Sequence, residues 1–182
     1  MDAGAMLPIV PHDDSSVEIR PMQKGNAKEY VTYMNMVGGE SEFLSFGAGE
    51  YKRDVTEVEG MIAIAACQAN HLFLGAWVGS TLVGALTLEG SSRPRIMHSA
   101  ELGMTVSRSQ WRGGIGRRLL RHAIDECRRV GAISKINLQV RSDHASAISL
   151  YLSFGFVHEG RISRGLLISG RYQELCSMGL AI

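Results

Sequence analysis

Cysteine is scarce in this chain of 182 residues: only Cys67, Cys127 and Cys176 occur, widely spaced and odd in number. That argues against both a disulfide framework and a closely spaced metal site, and the three read as reduced core thiols. An excess of charge of one sign is also missing. Nineteen Lys and Arg stand against 18 Asp and Glu, a formal net charge of +1, so nothing in the balance supports binding to nucleic acid or to an anionic membrane surface. No apolar run approaches the roughly 20 residues of a membrane span, and the N-terminus lacks the basic-then-apolar plan of a signal peptide, so a cytoplasmic location is expected. Internal repeats and low-complexity tracts are absent as well. Two of the four prolines fall in Met1 to Ser16, MDAGAMLPIVPHDDSS, which is expected to be a loosely held leader. What remains, residues 17–182 of a chain that is 45% hydrophobic, suits a single domain with a real core.

The coarse pattern is mixed. A short strand, VEIRPM, stops at Pro21, and a helix follows from Asn26 to Val37, ended by Gly38 and Gly39. An irregular stretch to Glu50 is both apolar (Phe43, Leu44, Phe46) and acidic (Glu40, Glu42, Glu50), and a second helix runs from about Val55 to Asn70. LFLGAWV and LVGALTL are hairpin strands around Gly79-Ser80-Thr81, with a third strand over Ile96 to Val106. Beyond a long central helix come the strand KINLQV, a short helix from Ala145 to Phe154, and two strands around Ser169-Gly170. The order β-α-α-β-β-β-α-β-α-β-β predicts an α+β fold, a mixed sheet of about seven strands with about four helices on its two faces.

The stretch that organises the rest is ELGMTVSRSQWRGGIGRRLL, Glu101 to Leu120. Ile115, Leu119, Leu120, Ala123, Ile124, Cys127 and Val130 recur at helical spacing, so a strand breaks into a glycine loop that opens a helix ending at Gly131. A helix N-terminus should attract acids, yet Arg112, Arg117, Arg118 and Arg121 crowd this one, with no acid before Asp125. A bound anion would resolve the conflict. Gly113, Gly114 and Gly116 would let the backbone approach it, with the free N–H groups of the first turn pointing at it. A glycine loop that merely turns the chain, beside solvated arginines, is the alternative. Spacing rules out the P-loop, because Arg117, Arg118 and Leu119 follow Gly116 where a lysine would be needed. Counted from Gly114 and Gly116, the third small residue of a dinucleotide fingerprint falls on Leu119, which excludes that loop too.

The loop resembles motif A of the GNAT superfamily of N-acetyltransferases, Gln/Arg-x-x-Gly-x-Gly/Ala. Gly114 and Gly116 match its glycines, while Trp111 stands at the Gln/Arg place between Gln110 and Arg112. SDHASAISLYLSFGFVHEGR, Ser142 to Arg161, resembles motif B of the same superfamily through Ala147, Ile148, Leu150, Tyr151, Gly155, Phe156, Glu159 and Gly160, with His144 where an Asn is usual. The likeness covers roughly Val17 to the C-terminus. It implies the acyl-CoA N-acyltransferase fold, in which two parallel strands, here Glu101 to Val106 and Lys135 to Val140, splay to admit pantetheine.

By that resemblance acetyl-CoA is the cosubstrate, an amine is the acceptor, no metal takes part, and a homodimer is possible. Main-chain groups around Met104, Thr105 and Val106 would hold pantetheine and polarise the thioester carbonyl at a bulge. Arg112, Gly113, Gly114, Ile115, Gly116 and Arg117 would take the diphosphate, and Trp111, His144, Ala147 and Tyr151 would line the cofactor. Tyr151 would protonate the leaving thiolate; the alternative is a core aromatic. Glu101 is the candidate base, with a solvated or arginine-paired glutamate as the alternative. Phe46, Glu50, Tyr172 and Glu174 are candidates for contact with the acceptor, and Glu40, Glu42 and Glu50 would suit a cationic amine. An inactive CoA-binding sensor of the same fold is the competing reading.

Overall fold

The computed structural model describes residues 17–182; the expected leader, Met1 to Ser16, lies outside the described residues. The elements in chain order are β1 Val17–Pro21, α1 Ala27–Glu40, α2 Val55–Cys67, β2 Leu72–Val78, β3 Thr81–Gly90, β4 Ser99–Val106, α3 Ile115–Val130, β5 Lys135–Arg141, α4 Ala145–Ser153, β6 Val157–Ile168 and β7 Arg171–Ala181. The strands form one seven-stranded sheet in the order β1-β2-β3-β4-β5-β7-β6. Every neighbouring pair is antiparallel except β4 and β5. The α+β architecture expected from the sequence is therefore present.

Alternation along the strands sends two sets of side chains to two faces. On one face α3 and α4 cover Leu86, Leu88, Leu102, Ile136, Leu138 and Met178. On the other α1 and α2 cover Phe73, Trp77, Leu82 and Ala85. The buried stripe of α3 is the apolar series read from the sequence, except that Val130 is exposed. Its ends are set by Gly114 and Gly131, at φ +77° and +73°, where a side chain would be strained; the Gly131 N–H donates to the Cys127 carbonyl and closes the last turn. α2 starts with a reciprocal cap, the Glu57 N–H donating to Asp54 Oδ1 at 2.9 Å and the Asp54 N–H to Glu57 Oε2 at 2.8 Å.

Two boundaries differ from expectation for tertiary reasons. Gly38 and Gly39 do not end α1, which continues to Glu40. A Cβ on Gly38 would lie 2.5 Å from the Gly47 carbonyl oxygen and 3.0 Å from the Phe46 ring, so the glycine lets the following loop fold back onto the helix. The strand expected from Ile96 begins at Ser99, because turns bonded from Ile96 to Arg93 and from Ser99 to Ile96 occupy the preceding residues.

Candidate functional site

β4 and β5 pair at only three positions, Ser99↔Lys135, Ala100↔Ile136 and Glu101↔Asn137. Beyond them the strands part: Leu102 to Val106 stay with β3 and Leu138 to Arg141 with β7. The Ser107 N–H donates to the Val83 carbonyl at 2.9 Å. Antiparallel alternation therefore turns the main-chain groups of Thr105 toward β3 and those of Met104 and Val106 into the opening. No bulge contributes, contrary to the sequence expectation, since β3 and β4 keep unbroken register from Gly84↔Val106 to Gly90↔Ala100. Divergence from β5 alone frees these groups, apart from the Val106 carbonyl, which accepts from the Trp111 indole.

The loop from β4 into α3 stands at the wide end of the opening. Trp111 Nε1 donates to the Val106 carbonyl at 2.8 Å, tying the loop to the strand. Arg112 and Gly114 both have positive φ, +65° and +77°, with Gly113 between them, and α3 begins directly after. Its first helical bond runs from the Arg118 N–H to the Gly114 carbonyl; among the described residues the N–H groups of Gly114, Ile115, Gly116 and Arg117 meet no acceptor. Gly116 lies beside Met104 and Leu150, to which an added Cβ would come within 3.6 and 3.5 Å, so β4, α3 and α4 converge there.

The arginines divide. Arg118 does not join the loop, because its guanidinium donates to the Val17 carbonyl at 2.6 Å. Arg117 and Arg121 lie over the Phe154 ring, 5.5 and 5.7 Å from its centroid. Among the described residues no carboxylate pairs with Arg112, Arg117 or Arg121. The acids of α3, Asp125 and Glu126, pair with Arg128 and Arg129 at its other end. The N-terminus thus gathers free N–H groups, the positive end of the helix dipole and unpaired cations, a combination suited to a diphosphate.

α4 places Tyr151 inside the core, 7% exposed and 5.5 Å from the Phe156 centroid; burial pushes its hydroxyl up to about 12. Ala147 is half-buried against the same core. His144 precedes the helix and stacks on Phe43, with ring centroids 3.8 Å apart. Its imidazole sits below the usual histidine value, chiefly through burial and secondarily through the Arg141 charge, while Asp143 opposes the shift. A depressed folded value means that the unfolded chain binds the proton more readily, so this stack stabilises fully above about pH 6.5 and loses strength as pH falls below it. Comparing denaturation midpoints at pH 7.5 and 5 should show a smaller acid loss in His144→Asn than in the unaltered protein.

Next to the opening is a cavity of about 750 Å³ whose lining includes Phe46, Glu50, Arg108, Trp111, Arg141 and Leu167. It touches the ends of both splayed strands, since Trp111 bonds to Val106 and Arg141 ends β5. Of the four residues expected to contact the acceptor, Phe46 and Glu50 line this cavity, whereas Tyr172 and Glu174 are not part of its lining. Tyr172 is exposed under the Arg164 guanidinium, and Glu174 pairs with Arg161 at 3.1 Å. Glu101 is exposed on β4, directly across from Glu89.

Arg141 was not singled out by sequence. Its guanidinium is bidentate to Asp143 at 3.0 and 2.6 Å, donates to the Glu42 carbonyl at 2.7 Å and lies 4.7 Å from the Phe43 centroid. Phe43 is thereby gripped by Arg141 and His144, which latches the loop after α1 to the end of β5. The only hint in the sequence was an Arg two residues before Asp143 at a strand end. Among the described residues no group of three or more His, Cys, Asp or Glu is placed to hold a metal, and no helix is long and apolar enough to cross a membrane.

The described residues thus form a seven-stranded mixed sheet opened between β4 and β5, with a cationic helix N-terminus at the opening. Residues 42–156 match the model of the Acetyltransferase (GNAT) family, and the chain belongs to that family. Over 102 residues, 56% of this chain, it is 35% identical to the L-amino acid N-acetyltransferase AaaT of Escherichia coli (strain K12); the match covers 62% of that protein. The chain spans less than two thirds of the length of the curated relatives it matches. Its fold superposes on a GNAT-family acetyltransferase from Streptococcus pneumoniae with a TM-score of 0.89 at 28% identity, covering 91% of this chain and 99% of the other. It also superposes on YncA from Salmonella typhimurium, solved with its cofactor acetyl-CoA, with a TM-score of 0.79 at 20% identity, covering 91% and 94%; that likeness is one of fold.

Proposed function

We propose that this chain transfers the acetyl group of acetyl-CoA to a primary amine by direct attack, as a cytoplasmic enzyme. The observation that carries the reading is the junction of the β4–β5 opening with the unpaired N–H groups and arginines of the α3 N-terminus. Acetyl-CoA supplies an activated acyl group and a thiolate leaving group. Gly114 to Arg117 present N–H donors to its diphosphate, with Arg112 and Arg117 adding charge and Gly113 allowing close approach. Main-chain groups of Met104 and Val106 hold the pantetheine arm and polarise the thioester oxygen without reorganising, as fixed dipoles do. Ala147 on α4 and His144 just before it border the same opening.

In the transfer the amine nitrogen bonds to the acyl carbon as the carbon–sulfur bond breaks. Tyr151 gives its hydroxyl proton to the departing sulfur, and Glu101, directly or through water, takes the proton lost by the amine. Phe46 and Glu50 border the acceptor in the cavity. For Tyr172 and Glu174 the structure offers no support of this kind, and neither is retained as an acceptor contact. Release of free thiol on mixing the protein with acetyl-CoA and a panel of amines tests the proposal. Thiol release that requires both the amine and the protein is expected. Coenzyme uptake without turnover on any amine would replace this reading with that of a CoA-binding sensor.

A further inference from the structure

We infer that the acceptor is an α-amino acid with an apolar side chain, and that Arg108 is the residue that recognises its carboxylate. The inference rests on the acetyl-transfer reading and specifies its second substrate. Three acids border the cavity, Glu40, Glu42 and Glu50, and from sequence they would suit a cationic amine. The structure gives two of them other work. Glu40 Oε2 accepts from the Arg108 N–H at 2.8 Å and Glu50 Oε2 from the Gly47 N–H at 2.7 Å, so both carboxylates fasten the loops that build the cavity. Glu42 is exposed, and its carbonyl is held by Arg141.

The cations divide the opposite way. Arg141 is 7% exposed and spent on Asp143. Arg108 is exposed, lines the cavity, and has no carboxylate partner among the described residues; its guanidinium lies 5.9 Å from the Trp111 ring centroid. The Glu40 contact fixes its backbone and leaves its side chain free. Arg108 follows Val106 by only two residues, so a carboxylate on Arg108 keeps its α-nitrogen close to the main-chain groups assigned to the thioester. An α-amino acid, whose nitrogen and carboxylate are one carbon apart, satisfies both at once. The remaining walls, Leu44, Phe46 and Leu166 to Ile168, are apolar and suit a hydrocarbon side chain.

The test compares L-leucine with L-leucinamide and spermidine as acceptors, reading thiol release from acetyl-CoA, in the unaltered protein and in Arg108→Gln. Leucine should exceed leucinamide at least about tenfold in kcat/KM, the discrimination a charge-assisted contact supplies. Leucinamide carries the less basic amine, so amine reactivity alone would produce the reverse order. Arg108→Gln should erase the preference by raising KM for leucine while leaving leucinamide nearly unaffected. Equal or better use of leucinamide or spermidine, or a preference that survives Arg108→Gln, overturns the inference but leaves acetyl transfer intact. If no amine is turned over, acetyl transfer fails, and calorimetric titration of leucine into the protein saturated with coenzyme A decides the inference. Uptake lost in Arg108→Gln supports it, and absence of uptake by the unaltered protein overturns it.

Discussion

Replacing Tyr151 by phenylalanine is expected to lower kcat about 100-fold or more while leaving coenzyme A affinity within about twofold, the range associated with losing a positioned general acid. The ring packs on Phe156 and the α3 side of the core, and Phe preserves that packing, so thermal stability should change little. Burial pushes the hydroxyl up to about 12, so Tyr151 stays protonated throughout the range in which an amine loses its proton. The rate should therefore rise with pH as the amine is freed, and no fall from tyrosine ionisation is expected below about pH 10. Steady-state kinetics of the variant on acetyl-CoA and a working amine decide the matter. A kcat like that of the unaltered protein would leave Tyr151 as a core aromatic and nothing more.

The second large effect is expected from Gly114→Ala, where binding should suffer far more than stability. Gly114 caps α3 at φ +77°, and an added Cβ would meet nothing within 4 Å, so the cost is one of backbone conformation alone, about 1 to 2 kcal/mol. The melting temperature should fall by only a few degrees. Coenzyme A affinity should fall at least about tenfold, because relaxing the left-handed turn re-aims the N–H groups assigned to the diphosphate. Thermal denaturation and a binding titration on the same preparation separate the two. Unchanged affinity would mean that the glycine serves only the turn into α3 rather than a ligand.

Where local rules decide the outcome, the sequence was readable. α3 shows its apolar stripe and both terminal glycines directly, and the hairpin of β2 and β3 shows its turn residues. The order of elements was enough to anticipate a mixed sheet, and motif register to anticipate where it opens. Residues whose role depends on a distant partner were read wrongly or passed over. Gly38 looks like a helix terminator until the Gly47 carbonyl is seen packed against it. Arg118 looks like part of a cationic cluster until its bond to Val17, 101 residues away in sequence, removes it. Glu40 gives no sign in the sequence that its carboxylate accepts from the Arg108 N–H, 68 residues further on. Phe43, His144 and Arg141 are unremarkable letters spread over two segments, and only the fold brings them into one stack. In each instance a long-range contact overrides a local preference.

Acetyl transfer by this chain requires that the α3 N-terminus hold phosphate. Calorimetric titration of the protein with coenzyme A and, separately, with pantetheine, which lacks the diphosphate, measures this most directly. Coenzyme A should bind at least about 100-fold more tightly than pantetheine, and the difference should shrink as ionic strength rises. Equal affinity for the two, or no uptake of coenzyme A, would contradict it.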